Sequence, residues 1–174
     1  MEDAGETEGT IASWDFTATD EQGRETGISI AKRGGKIVWF MGSAAGGENQ
    51  MPDEATRERM KQAALEWLGK AGFDDMHATY AQYYSGAGVI NFAATKDDII
   101  LYNDLVKVWV DIKTNEVIGA DARNYLFSHT EREMPTPAVS PEEAEALLMD
   151  TLPPIAEVMP LPGSMVSSSS FSLV

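Results

Sequence analysis

The 174-residue chain contains no cysteine, which excludes disulfide bonds, zinc–thiolate sites and a thiol nucleophile. Basic residues are also scarce: 13 lysines and arginines stand against 28 aspartates and glutamates, a formal net charge of −15. Nucleic acid and anionic lipid are bound through basic patches, so this charge argues against both as partners. Long apolar runs are absent as well, and no segment is predicted to span a membrane.

Residues that commonly perform chemistry are few. The two histidines, His77 and His129, are far apart in the sequence, and a metal site needs three or four converging ligands. The serines lack the G-x-S-x-G context of a hydrolase nucleophile. What is present, 43% apolar and 24% charged residues, is typical of a globular domain. The sequence therefore predicts a non-enzymatic domain with no metal and no cofactor, and surface positions for both histidines.

Apolar and polar residues alternate over several short segments, which predicts β-strands. Before them, residues 1–10 carry four acids and no base, and we expect a flexible acidic tail there. The predicted strands cover residues 14–19, 28–31, 37–40, 78–84, 89–95, 99–112 and 117–120.

Two helices are predicted between and after these strands. The first presents one apolar stripe for packing on a sheet, formed by Met60, Ala63, Ala64, Trp67 and Leu68. The second begins at Ser140, because Ser140 and Glu143 have the spacing of a capping box and Pro141 suits the first helical position. The expected fold class is α+β.

Short patterns recur at an offset of about 80 residues, which is the signature of an internal repeat. Residues 14–19 resemble 90–95, and the hairpin around 28–38 resembles the one around 108–118. The repeat predicts tandem units, each a helix packed on an antiparallel sheet. The predicted division is an acidic flexible tail (1–10), the β half of a first unit (11–48), a complete unit (49–132), and a linker, helix and truncated start of a third unit (133–174).

The hairpin segment 111–119, Asp-Ile-Lys-Thr-Asn-Glu-Val-Ile-Gly, resembles PepSY domains. Further segments resemble the C-terminal region of the YpeB family of spore-germination proteins, namely 35–41, 89–92, 100–108, 116–126 and 140–144. This resemblance implies a tandem PepSY architecture and an extracytoplasmic location, on the cortex side of the spore inner membrane. It also implies a partner, a cortex-lytic hydrolase of the SleB type, which the family restrains or stabilises during sporulation and germination.

The resemblance has two limits in this sequence. The membrane anchor of the family has no counterpart among these residues, so no membrane contact is expected from this chain itself. The strands of a third unit are also missing after Pro162, and we expect the chain to be a fragment or a truncation. The oligomeric state stays open.

The long strand near residue 105 offers the candidate contact surface. Val106, Val108 and Val110 alternate with more polar positions, so the polar positions are predicted to share an exposed face. The predicted partner-contact residues on that face are Tyr102, Asp104, Lys107, Trp109 and Asp111. The alternative function is an extracytoplasmic ligand-binding or cell-wall-fragment-binding domain that uses the aromatic side of the sheet.

Overall fold

The computed structural model describes residues 1–46, 51–134, 138–151 and 172–173. They form an antiparallel sheet and three helices, so the predicted α+β class is confirmed. The strands are β1 (Glu2–Thr7), β2 (Ser13–Thr19), β3 (Glu25–Ala31), β4 (Ile37–Met41), β5 (Met76–Tyr84), β6 (Ala87–Lys96), β7 (Ile99–Asp111), β8 (Val117–Asp121) and β9 (Ser172–Leu173). The helices are α1 (Glu54–Lys70), α2 (Arg123–Ser128) and α3 (Pro141–Thr151).

The strands join into one sheet in the order β1-β2-β3-β4-β8-β7-β6-β5-β9. The hairpin strands β1–β4 and β5–β8 are therefore brought together by the central β4–β8 pair, where Phe40 lies opposite Ala120. The strands that the repeat matched, β2 with β6, β3 with β7 and β4 with β8, lie at equal distances from this central pair. The two predicted units share one sheet and do not form two separate sheets.

Strand β1 corrects one prediction. Residues 2–7 form an edge strand paired with β2, where the sequence predicted a flexible tail. Glu6 forms an ion pair with Lys32, and the Thr7 hydroxyl donates to Asp15 Oδ2 at 2.7 Å. An edge strand tolerates charged side chains because much of its surface faces water. The acids therefore mark an exposed edge, and the backbone pairing makes it a strand.

The core lies between α1 and one face of the sheet. Met60, Ala64 and Leu68 of α1 are almost fully buried against strands β5–β8. The Asp53 side chain caps the helix by accepting a hydrogen bond from the Thr56 N–H at 2.7 Å. The predicted apolar stripe is confirmed as the packing face, since three of its residues are in the buried cluster.

A row of aromatic rings connects α1 with α2, a short helix that the sequence analysis did not predict. Phe73, which follows α1, lies 5.0 Å from the Tyr125 ring of α2 in an edge-to-face arrangement. Tyr125 in turn stacks on His129, with ring centroids 4.3 Å apart. Burial and the nearby charge of Asp104 raise the pKa of the Tyr125 phenol. Aromatic packing therefore holds α2 on the same core as α1.

The chain divides into two compact units, one of residues 1–131 with 170–174 and the other of residues 132–169. In the second unit, α3 begins with the predicted capping box. The Glu143 N–H donates to Ser140 Oγ at 3.2 Å, and the Ser140 N–H donates to a Glu143 carboxylate oxygen at 2.9 Å. The prediction that the strands of a third unit are missing after Pro162 concerns residues outside the described part of this unit.

Candidate functional site

The structure separates the five predicted contact residues into three groups. Tyr102 is exposed (65%), whereas Asp104 and Asp111 are buried at 0% and 2% exposure. Lys107 and Trp109 are half-buried. The predicted exposed position is therefore wrong for the two aspartates, and contact of the other three residues with a partner stays a prediction.

Asp104 is buried because it lies two residues before the buried Val106, and alternation along the strand places both side chains on the core face, so its predicted exposed face is a misassignment. A bulge in β7 lies immediately before Leu105. Leu101 pairs with Ala94 and Leu105 with the adjacent Ala93, so three residues of β7 are inserted between two neighbouring positions of β6. Asp104 lies in the inserted stretch, and its Oδ2 is 2.8 Å from Nδ1 of His129, just beyond α2. His129, predicted to be a surface or linker side chain, is exposed as expected and also connects the end of α2 to β7.

Asp111 is buried because it organises the turn between β7 and β8. Its Oδ1 accepts hydrogen bonds from the backbone N–H groups of Lys113 at 2.8 Å and Thr114 at 3.0 Å. Its Oδ2 accepts from the N–H of Ala45, after β4, at 2.6 Å. Burial raises the pKa of this carboxyl, but the backbone donors outweigh burial and hold the pKa below its usual value. Asp111 therefore has a structural role: its carboxylate holds the β7–β8 turn and the segment after β4 together.

Lys107 and Trp109 share the face of the sheet turned away from α1. Val108 and Val110 belong to the core beneath α1, so the side chains that alternate with them point to the opposite face. On that face Trp109 lies opposite Gly119, and Lys107 lies opposite Asp121. Burial raises the pKa of Asp121, but hydrogen bonds from Arg123 and the charge of Lys107 outweigh it and lower the pKa. The surface formed by Lys107 and Trp109 is called the β7 outer face below.

A cavity of about 540 Å³ opens beside β4 and α2, and is called the β4–α2 groove below. Three parts of the first unit line it: the β1–β2 connection, the neighbouring strands and α2. Trp39 of β4 forms one wall, with the outer ring of its indole against Gly27, where a Cβ would come within 3.0 Å of the ring. Helix α2 contributes Arg123, Asn124 and Phe127 to the lining. The sequence analysis missed this groove because it did not predict α2.

Asp15 fixes the polar side chains at the floor of the groove. The hydroxyls of Thr7, Ser13 and Ser29 all hydrogen-bond to its carboxylate, with the Ser13 bond at 3.2 Å. The Ser29 hydroxyl is the main cause that lowers the pKa of Asp15, and the other two hydroxyls act in the same direction. These hydroxyls donate to Asp15, so the oxygen atoms of Ser13 and Ser29 that line the groove are oriented as acceptors.

Within the residues that the structure describes, no group of three or more histidine, aspartate or glutamate side chains is placed to hold a metal ion. The described helices also include none with the length and apolar character needed to cross a bilayer.

Comparison with known proteins gives consistent results. A family model described as the YpeB sporulation protein, PepSY1 and PepSY2 domains, matches residues 2–135. The sporulation protein YpeB of Halalkalibacterium halodurans is 27% identical over 133 residues, which is 76% of this chain and 28% of that protein. YpeB of Bacillus subtilis is 28% identical over 123 residues, 70% of this chain and 26% of that protein.

A solved structure also matches. The Bacillus megaterium YpeB C-terminal domain superposes with a TM-score of 0.69 at 23% identity, covering 83% of this chain and 62% of that domain. This match supports the fold. The chain spans about a quarter of the length of the full curated relatives it matches. Because the family model covers most of the sequence, from residue 2 to residue 135, the chain belongs to the YpeB family of sporulation proteins.

Proposed function

We propose that this chain is a non-enzymatic interaction module that binds a spore cortex-lytic hydrolase of the SleB type and restrains or stabilises it. The observation that carries the proposal is the family match over residues 2–135, whose relatives are named sporulation proteins. We retain two PepSY-like units as part of the proposal, since the repeated strands occupy equivalent places on either side of β4–β8. An extracytoplasmic location on the cortex side of the spore membrane belongs to the same proposal.

The β7 outer face is the proposed contact surface. Trp109 supplies a half-buried aromatic ring, and tryptophan is enriched among the residues that dominate binding energy at protein interfaces. Lys107 beside it supplies a positive charge that can pair with an acidic group of the partner. The excess of acidic residues in the chain favours a partner with a positive overall charge, because opposite charges accelerate association, whereas Lys107 itself needs an acidic group at the contact. Tyr102 is exposed on the same strand and completes the proposed contact set.

A calorimetric titration of the whole chain with a SleB-type hydrolase from the same organism tests the partnership. We expect saturable binding with a Kd of about 10 µM or below. Absence of binding at about 50 µM of both proteins would refute the partnership. A parallel assay of cortex digestion shows whether the bound chain slows the hydrolase, and a protease-resistance time course shows whether it prolongs the lifetime of the hydrolase.

Two variants test the contact surface separately. Lys107→Glu and Trp109→Ala should each raise the Kd by about tenfold. Trp14→Ala is the matched control, since Trp14 is a tryptophan of β2 with 44% exposure whose cross-strand neighbours place it on the face that carries α1. If the chain binds and both variants bind as tightly as the control, the partnership stands and the β7 outer face is the wrong surface.

A further inference from the structure

We propose that the β4–α2 groove binds a neutral oligosaccharide. This inference concerns residues other than Lys107 and Trp109 and goes beyond the proposed hydrolase contact, although Trp39 lies on the same face of the sheet, across Asp121 from Lys107. The groove has the size of a small-molecule site, since its volume of about 540 Å³ falls within the range of roughly 300–1,000 Å³ of such sites. Its residues all belong to the first compact unit.

The groove offers both kinds of surface that a sugar needs. A sugar ring presents C–H groups on its faces and hydroxyl groups around its edge. Trp39 and Phe127 are aromatic walls against which the C–H faces can pack, and the Phe127 side chain is 67% exposed. The Asn124 amide is exposed and makes no side-chain hydrogen bond within the described part of the chain, so it is free to donate and accept.

The charge of the groove selects an uncharged ligand. Among the described residues that line it, Arg123 is the one ionisable side chain. Its guanidinium already hydrogen-bonds to both carboxylate oxygens of Asp121, with Nε 2.9 Å from Oδ1. A phosphate or carboxylate ligand would therefore meet a cation that is already neutralised, whereas a hydroxyl group can share the outer N–H groups of this pair.

The floor is already organised for binding. Ser13 and Ser29 are only 2% and 3% exposed, and Asp15 orients their hydroxyls, so each presents a small acceptor surface whose direction is fixed before a ligand arrives. Fixed polar groups lower the entropy that must be lost on binding. Sugar hydroxyls are donors, and they match these acceptors.

The test is a fluorescence titration of the full chain with two probes, maltotriose and N,N′,N″-triacetylchitotriose. At least one should give a saturable change in tryptophan fluorescence with a Kd of about 0.1–5 mM. Trp39→Phe should remove most of the signal change, and Trp14→Phe, the matched control on the other face, should retain it. Asn124→Ala and Phe127→Ala change exposed side chains and should each weaken binding by about fivefold or more, measured by calorimetry.

Several outcomes would overturn the proposal. Absence of a saturable change with both probes at about 10 mM would do so. Retention of wild-type affinity by both Asn124→Ala and Phe127→Ala would show that the sugar binds elsewhere. Tight binding of an extended peptide with no response to either saccharide would assign the groove to a different class of ligand. A preference for the acetylated probe would identify the acetamido group as the part that Asn124 recognises.

Discussion

Replacement of Asp111 gives the most direct test of how the first unit is held together. Its carboxylate accepts three backbone hydrogen bonds, from Ala45, Lys113 and Thr114, and the side chain is buried. Asp111→Ala leaves these three donors without their acceptor. A hydrogen bond of this kind contributes about 1 kcal/mol to the free energy of unfolding, and somewhat more when the acceptor is charged. We expect a loss of about 3 kcal/mol.

Asp111→Asn separates the charge from the shape of the side chain. The amide oxygen can still accept from Lys113 and Thr114, but the amide NH₂ then faces the Ala45 N–H, donor against donor. We expect a smaller loss, about 1–2 kcal/mol. Asp98→Asn is the matched control, because Asp98 is an exposed residue in the β6–β7 turn and the same unit of charge is removed.

The assay is urea denaturation followed by tryptophan fluorescence. All four tryptophans, residues 14, 39, 67 and 109, belong to the first compact unit, so the signal reports the unfolding of that unit. For a unit of this size, a loss of 3 kcal/mol lowers Tm by about 10 °C. The reasoning is refuted if Asp111→Ala is as stable as the Asp98→Asn control.

The pH dependence provides an independent check. Burial raises the pKa of Asp111 but the backbone donors outweigh it, so the folded-state pKa is below the ordinary value of 3.8. The unfolded chain then binds the proton more readily than the folded chain does. The stabilisation by the carboxylate is therefore complete above about pH 4 and is lost as the pH falls through the folded-state pKa. The difference in free energy of unfolding between wild type and Asp111→Asn should narrow in that acidic range. A difference that stays constant with pH would contradict a lowered folded-state pKa for Asp111.

Two further predictions concern packing around the core. Gly88→Ala should lower the free energy of unfolding by about 1–3 kcal/mol, because the new Cβ would lie 2.5 Å from Cε of Met60. The control is Gly69→Ala, in open space within α1, which should be neutral or stabilising by up to about 1 kcal/mol. Equal effects of the two substitutions in thermal denaturation would contradict the close packing of Gly88 against Met60. His129→Ala removes the side chain that contacts the buried Asp104 carboxylate, and it should lower the free energy of unfolding by about 1–3 kcal/mol. The backbone amides of α2 should also exchange hydrogen faster. Unchanged exchange in α2 would show that the contact between His129 and Asp104 does not hold the helix in place.

Local sequence patterns predicted the individual strands and the first and last helices well. Val106, Val108 and Val110 are buried in the core as their alternation indicated. The capping box of Ser140 and Glu143 forms because its partners are three residues apart and need no tertiary contact. The same reasoning failed at β1, because no pattern in residues 2–7 predicts the backbone pairing with β2. It also failed at α2, which is only six residues long and depends on the packing of Tyr125 against Phe73.

The candidate surface shows the same limit. Alternation placed Lys107 and Trp109 correctly on the face opposite the core valines, because side-chain direction in a regular strand is a local property. Alternation also places Asp104, two residues before Val106, on the core face, so grouping it with the exposed residues is an error of assignment.

Asp111 does share the outward parity of Lys107 and Trp109, but backbone donors from two connections enclose it. A charge predicts exposure only when no donors are available to replace water. Asp111 has two nearby donors, Lys113 and Thr114, and one that is distant in the sequence, Ala45. The partner of Asp104, His129, is also distant.

The sequence by itself determined the α+β composition, the apolar stripe of α1, the alternation of the strands and the resemblance to the YpeB family, because each of these rests on residues close together in the chain. Only the tertiary structure decided that the two sets of hairpin strands join through β4 and β8, that Asp104 and Asp111 are buried, and that Trp39 and α2 line one groove. These features join residues that are distant in the sequence. Their formation depends on which apolar faces and backbone edges meet in the folded chain, and local sequence patterns do not predict these long-range contacts.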